Sequence, residues 1–88
     1  MSHLRLYQTE WCPYCRMVTR AAERLGVHLE LLNVDRDPTL RQMLVARRGR
    51  GTVPVLGIPR SEGEELLGES ADIIAYLEKV ASSAAPGP

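Results

Sequence analysis

Hydrophobic and polar residues alternate with two different periods along the chain, and the changes of period mark its elements. His3 to Tyr7 alternates polar and apolar residues, which predicts a strand. Apolar residues then recur at helical spacing from Val18 to Leu25, and Gly26 follows where a helix C-cap is favoured. Leu29 to Val34 is an apolar run of strand length. A strand, a helix and a strand in this order predict a crossover that joins parallel strands.

A second helix is predicted directly after the second strand. Asp37 can cap it, and Pro38 suits its first position because a proline there leaves no amide hydrogen unpaired. Basic residues followed by Gly49 are typical of a helix C-terminus. The second helix is therefore predicted to begin at Pro38 and to end near Gly49.

The rest of the pattern predicts a hairpin and a third helix. Val53 to Ile58 has the character of a strand interrupted by Pro54, and Glu64 to Leu67 that of a short fourth strand. Gly, Pro and Ser cluster between Gly57 and Gly63, which predicts the connection. Ser70 is predicted to cap the last helix. The predicted fold is α/β, with a four-stranded mixed sheet flanked by three helices in the order βαβαββα.

Length and composition narrow the class of protein. A chain of 88 residues is expected to form one domain, predicted here at 1–81, followed by a disordered tail at 82–88 rich in Ser, Ala, Pro and Gly. Acidic and basic residues balance at 11 each, so the charge predicts neither nucleic acid nor a membrane surface as partner. No apolar run is long enough to span a membrane, and the N-terminus lacks the apolar segment of a signal peptide. We therefore expect a cytoplasmic protein.

The candidate chemistry lies in Cys12-Pro13-Tyr14-Cys15, which contains both cysteines of the chain. A Cys-x-x-Cys between a strand and a helix is typical of a thioredoxin-like redox pair. With Cys12 at the N-cap, its sulfur lies beside free N–H groups and the positive end of the helix dipole, which favour the thiolate. Cys15 is three residues further on, on the same helix face, within reach of a disulfide with Cys12. Arg16 is expected to add positive potential.

The element order, together with Cys12-Pro13-Tyr14-Cys15 and Thr52-Val53-Pro54, resembles the glutaredoxins, small thioredoxin-fold thiol–disulfide oxidoreductases. The resemblance implies a cis-proline at Pro54 and a redox-active Cys12–Cys15 disulfide. It also implies that Val53 offers its backbone to the cysteinyl part of glutathione. Two stretches differ from the family pattern: Gln8-Thr9-Glu10 carries no lysine before the first cysteine, and Gly68-Glu69-Ser70 looks instead like the N-terminal domain of glutathione transferases.

The implied function is that of a dithiol glutaredoxin. Cys12 would attack glutathione mixed disulfides and protein disulfides, and Cys15 would resolve the intermediate. Glutathione is expected as the reducing cosubstrate, with no bound cofactor and no metal, and disulfide-containing or glutathionylated proteins as partners of a monomer. Pro13, Tyr14, Arg16 and Pro54 are expected to support the active site. The residues expected to contact glutathione are Thr9, Arg50, Thr52, Val53, Pro54, Glu69, Ser70 and Asp72.

Other functions are compatible with the same residues. A Cys-x-x-Cys can be half of a zinc site, but zinc needs a second pair of ligands, and His3 and His28 have no paired spacing. Some glutaredoxins bridge an iron–sulfur cluster between two chains, although those usually have glycine at the position of Pro13. A third alternative is a thioredoxin-like module that binds glutathione or a partner without turnover. The Glu69-Ser70 pair is consistent with this third alternative.

Overall fold

A computed structural model describes residues 3–84 of the chain. The elements are β1 (Leu4–Gln8), α1 (Pro13–Leu25), β2 (Leu29–Asn33), α2 (Pro38–Arg48), β3 (Val55–Arg60), β4 (Gly63–Gly68) and α3 (Ser70–Ala84). The strands form one sheet in the order β2-β1-β3-β4. β1 is parallel to β2 and antiparallel to β3, and β3 is antiparallel to β4. The structure thus confirms the predicted α/β fold, with its mixed sheet, its three helices and the order βαβαββα.

The sheet separates two hydrophobic clusters. On one face, Leu6 and Leu56 pack with Val18 of α1 and Ile73 of α3. On the other face, Tyr7, Val55 and Val34 pack with Leu44 of α2. Neighbouring residues of a strand point to opposite faces, so Leu6 and Tyr7 belong to different clusters although they are adjacent. Both faces of the sheet are therefore covered by helices.

The first two helices have the predicted caps. Cys12 is the N-cap of α1 with extended backbone angles (φ −84, ψ 119), and Pro13 is the first helical residue. The Asp37 side chain accepts a hydrogen bond from the backbone N–H of Thr39 at 3.1 Å, which caps α2. Gly49 ends α2 in the left-handed region (φ 79), where a residue without a side chain has no steric penalty.

The observed hairpin has longer strands and a shorter turn than the sequence predicts. β3 begins at Val55 and reaches Arg60, and β4 begins at Gly63, so only residues 61 and 62 connect them. The predicted connection from Gly57 to Gly63 is therefore wrong. Pro59 is accommodated because it lies beyond the part of β3 that pairs with β1, whose last pair is Arg5 with Gly57.

The two ends of α3 also differ from the prediction. Ser70 is the first helical residue, and the carbonyl of Glu69 accepts the hydrogen bond from Ile73 N–H at 3.0 Å, so Glu69 is the N-cap. The helix continues to Ala84, past the predicted domain boundary at residue 81, because no proline or glycine interrupts it there. The rest of the predicted tail, 85–88, lies outside the described residues. Between residues 3 and 84, no helix combines the length and the apolar character needed to cross a membrane.

Candidate functional site: the cysteine pair and its groove

The two cysteines differ in exposure. Cys12 is half-buried at the start of α1, whereas Cys15 is completely buried one turn further on. The backbone N–H of Cys15 donates a hydrogen bond to Cys12 Sγ at 3.4 Å. Both residues are free thiols in the structure. The arrangement presents one sulfur toward solvent and holds the second behind it.

Burial raises the pKa of the Cys15 thiol to about 12. The hydrogen bond and the charge of Cys12 act in the same direction, whereas a backbone hydrogen bond from Thr9 acts against it. Desolvation disfavours the thiolate because a charge is poorly solvated in the protein interior. Cys15 is therefore held as a neutral thiol at neutral pH, behind the more exposed sulfur of Cys12.

The loop that delivers Cys12 is attached to the loop after β2. The carboxylate of Glu10 pairs with Arg36 at 2.6 Å and accepts a hydrogen bond from Asn33 Nδ2 at 3.4 Å. The two aromatic side chains beside Cys12 remain exposed, Trp11 to 74% and Tyr14 to 60%. The approach to the half-buried sulfur is thus bordered by apolar surface.

A groove of about 400 Å³ begins at Tyr14, two residues after Cys12. It is bounded by the C-terminal end of α2, the loop that follows it, and the start of α3. The lining residues are Tyr14, Arg48, Arg50, Thr52, Val53, Pro54, Glu69 and Ser70. Seven of these eight residues are among the predicted site residues, although they come from three separate stretches of the sequence.

The loop between α2 and β3 is held against α2 by one arginine. Arg41 Nη1 donates a hydrogen bond to the Gly51 carbonyl at 3.0 Å, and its Nη2 pairs with Asp35 at 2.8 Å. Gly51 lies so close to α2 that an added Cβ would be 2.8 Å from Arg41 Cγ. This close packing positions the residues that follow Gly51. Among them are Val53 and Pro54, which are joined by a cis peptide bond.

Besides the two cysteines and Pro13, three further predicted site residues lie outside the groove lining. Thr9 is buried, and its backbone contacts the sulfur of Cys15. Asp72 is exposed in the first turn of α3. Arg16 is exposed and borders a different cavity, which lies between α1 and β2.

Arg48 lines the groove but was not among the predicted contacts. In the sequence it is one of the basic residues before Gly49 that are typical of a helix C-terminus. In the structure its guanidinium lies over Gly68, at the point where a Cβ would otherwise be. The only sequence signal is the glycine that makes room for it, and the sequence pattern places this glycine just after the predicted fourth strand.

Among residues 3–84, no group of three or more His, Cys, Asp or Glu side chains is placed to hold a metal ion.

Comparison with known protein families identifies relatives of two kinds. Residues 6–85 match the family model of the glutathione S-transferase N-terminal domain. A glutaredoxin of Pseudomonas aeruginosa is 36% identical over 70 residues, covering 80% of this chain and 79% of the relative. Mycoredoxin 1 of Corynebacterium glutamicum is 30% identical over 83 residues, covering 92% of this chain and all of the relative.

Solved structures of glutathione transferases and a maleylacetoacetate isomerase share the fold. The trimeric glutathione transferase TDR1 of Leishmania is 27% identical with a TM-score of 0.77, and the match covers 92% of this chain but 18% of that one. Maleylacetoacetate isomerase of Anaeromyxobacter dehalogenans with bound GSH is 26% identical with a TM-score of 0.70, covering 99% of this chain and 42% of that one. From the sheet topology and these relatives, we conclude that the chain belongs to the glutaredoxin family of thioredoxin-fold proteins and matches the N-terminal domain of the glutathione transferases.

Proposed function

We propose that this protein is a glutathione-dependent thiol–disulfide oxidoreductase, a dithiol glutaredoxin in which Cys12 is the nucleophile and Cys15 the resolving thiol. One observation carries the proposal: Cys12 is the half-buried N-cap of α1, and buried Cys15 donates its N–H to the sulfur of Cys12. The glutaredoxin relatives support the class of reaction. The related isomerase with bound GSH supports glutathione as the cosubstrate.

The first step is attack of the Cys12 thiolate on the glutathione sulfur of a mixed disulfide. A bond forms between the two sulfurs, the original disulfide bond breaks, and the substrate thiolate leaves and takes a proton from water. The backbone N–H of Cys15 donates to Cys12 Sγ and so stabilises negative charge there before attack and when Cys12 later becomes the leaving group.

Two routes resolve the mixed disulfide on Cys12. A second glutathione thiolate can attack the glutathione sulfur of the adduct, which yields oxidised glutathione and needs no second cysteine. With a protein disulfide as substrate, Cys12 first forms a mixed disulfide with one protein sulfur. Cys15 then attacks the sulfur of Cys12, which forms the Cys12–Cys15 disulfide and expels the second protein thiol with the proton of Cys15. Two molecules of glutathione reduce the Cys12–Cys15 disulfide and leave as oxidised glutathione. Loss of the charge on Cys12 in the mixed disulfide removes one of the causes that raise the pKa of Cys15, so attack by Cys15 becomes easier at that stage.

The groove supplies groups that match the ends of glutathione. The backbone of Val53 would pair with the cysteinyl part, and Arg50 would bind a carboxylate. Ser70, at the start of α3, would accept or donate a hydrogen bond at the γ-glutamyl end, and the carboxylate of Glu69 would attract the ammonium group. The proposal assigns Thr9 a positioning role through Cys15. Asp72 and Arg16 would contribute charge from outside the groove.

The proposal is tested by turnover of the glutathione mixed disulfide of 2-mercaptoethanol and of a glutathionylated protein, with glutathione reductase as the coupling enzyme. The wild type should turn both over, and Cys12→Ser should lose at least 10³-fold, a rough bound for removal of a nucleophile. Cys15→Ser should keep deglutathionylation but lose reduction of a protein disulfide. Normal turnover by Cys12→Ser would contradict the mechanism.

The same proposal places the protein in the cytoplasm, where thiols are kept reduced, as a monomer that acts on disulfide-containing or glutathionylated proteins. A thioredoxin-reductase-coupled assay, run in parallel, shows whether glutathione or thioredoxin reductase reduces the protein faster. Faster turnover with thioredoxin reductase than with glutathione would contradict the choice of glutathione.

A second candidate function is a glutathione-binding module without turnover. The match to the transferase N-terminal domain and the Glu69-Ser70 pair in the groove favour it. Calorimetric binding of glutathione by the wild type, together with absence of turnover on every mixed disulfide, would support this candidate over the oxidoreductase.

A further inference from the structure

Arg48 occupies an unusual position among the arginines of the chain. It is half-buried in the last turn of α2, and its guanidinium lies over Gly68, the last residue of β4. A side chain at Gly68 would collide with both Nη atoms and with Cζ. The guanidinium therefore lies against backbone that carries no side chain, two residues before α3 begins at Ser70.

No carboxylate within the described part of the chain neutralises Arg48. Ion pairs within 4.0 Å bind five other arginines, which are Arg5, Arg36, Arg41, Arg47 and Arg60. Arg48 forms none with any residue between 3 and 84, although it is more buried than exposed Arg36 or Arg60. A half-buried cation has lost part of its hydration, so an anion that enters the groove can pair with it at a low desolvation cost.

The two arginines of the groove have different neighbours. Arg50 is exposed and lies three residues before Val53, whose backbone is proposed to pair with the cysteinyl part. Arg48 lies over Gly68, and so beside Glu69 and Ser70. A ligand that carries two carboxylates can therefore pair with both arginines of the groove.

We propose that Arg48 is a specificity-determining residue that binds the α-carboxylate of the γ-glutamyl group of glutathione. This inference rests on the proposed glutathione-dependent function. It predicts that the groove prefers thiols whose distal end carries a carboxylate next to an ammonium group, the two being matched by Arg48 and Glu69. A thiol with a neutral distal end leaves Arg48 without a partner.

The test is the second-order rate constant for reaction of the reduced protein with two mixed disulfides of 2-mercaptoethanol, one with glutathione and one with an analogue in which 4-aminobutyryl replaces γ-glutamyl. The analogue lacks only the α-carboxylate. Trp11, the single tryptophan, is adjacent to Cys12 and can report the reaction by fluorescence. Arg48→Gln should react roughly tenfold more slowly with the glutathione disulfide, the size expected for one charge-assisted hydrogen bond. It should react with the analogue at the wild-type rate.

Arg20→Gln is the matched control, because Arg20 is exposed on α1, is not in the groove lining and forms no ion pair with any described residue. It removes the same charge and should leave both rate constants unchanged. Equal losses on both substrates for Arg48→Gln, or no loss on either, would overturn the assignment. Failure of the proposed function would look different, because the wild type would then react with neither mixed disulfide faster than a free thiol does.

Discussion

Arg47 and Arg48 are neighbours in the last turn of α2, yet they lie in opposite environments. Arg47 pairs with the carboxylate of Glu64 at 3.8 Å and also donates to the Glu64 carbonyl. The same carboxylate accepts a hydrogen bond from the Tyr7 hydroxyl at 2.8 Å and lies 4.0 Å from Arg5. These four residues form what we call the Glu64 network. Arg48, by contrast, faces the groove without a carboxylate partner among residues 3–84.

The comparison separates a cation that contributes to the fold from one that is available to a ligand. In the Glu64 network, charges of opposite sign meet within the chain and attach α2 to β4. In the groove, Arg48 and Arg50 form no ion pair with any residue between 3 and 84 and are available to an anion from solution. We therefore expect substitutions in the network to change stability more than activity, and substitutions in the groove to change activity more than stability.

Each region depends on a glycine, and these two glycines give the largest expected contrast. An added Cβ at Gly57 would be 2.7 Å from Glu64 Cδ and 3.1 Å from the ring of buried Tyr7. Gly57→Ala should therefore lower the free energy of unfolding by about 1–3 kcal/mol, the usual cost of overpacking. At Gly68 the colliding group is the flexible end of Arg48, which can move into solvent. Gly68→Ala should change the free energy of unfolding by no more than about 0.5 kcal/mol.

The two glycine variants are compared by urea unfolding and by the rate constant with the glutathione mixed disulfide. Gly57→Ala should unfold at a lower urea concentration than the wild type and react normally when folded. Gly68→Ala should unfold at nearly the wild-type urea concentration but react more slowly, because Arg48 is displaced. Equal stability losses in the two variants would contradict the distinction between the regions.

Tyr7→Phe is expected to have a smaller effect than Gly57→Ala, because it removes one donor from the Glu64 network and creates no collision. The Tyr7 hydroxyl lies within hydrogen-bond distance of both Glu64 carboxylate oxygens, at 2.8 and 3.0 Å. Glu64 keeps its arginines, so the free energy of unfolding should fall by about 1–2 kcal/mol. Urea unfolding at pH 7 measures this. An unchanged urea midpoint, or slower reaction of the folded variant with mixed disulfides, would show that the network does not act as described.

Alkaline pH should lower the free energy of unfolding through Tyr7 of the Glu64 network and through the buried thiol of Cys15. Burial and the hydrogen bond to Glu64 raise the pKa of Tyr7 from 10.0 to about 12. Burial, assisted by Cys12, raises the pKa of Cys15 from 9.0 to about 12. In each case the folded state holds the proton more tightly than the unfolded state, so the stabilisation is complete below the unfolded pKa. It is lost as pH rises through the folded value.

The free energy of unfolding, measured by urea under reducing conditions, should therefore fall between pH 9 and pH 12. In Cys15→Ala the part of the decline that begins near pH 9 should be absent, and in Tyr7→Phe the part that begins near pH 10 should be absent. Identical pH profiles for the wild type and both variants would contradict the assigned pKa shifts.

Local sequence was sufficient for the elements and for the position of the cysteine pair. Cys12 at the N-cap, Pro13 at the first helical position and Gly49 at the end of α2 follow from backbone requirements that only neighbouring residues satisfy. The hairpin was predicted less well. Glycine and proline were interpreted as a turn between Gly57 and Gly63, whereas pairing with β4 keeps most of that stretch in strands.

What the sequence by itself determined is the order of elements, the sulfur at the start of α1 and most of the residues that meet in the groove. The tertiary structure decided which polar side chains face that groove. Successive residues of a helix point about 100° apart, so only the packing of α2 on the sheet directs Arg47 toward Glu64 and Arg48 toward Gly68. In the same way, burial of Thr9 is set by the sheet behind it, because a side chain's surroundings depend on residues that are distant in the chain.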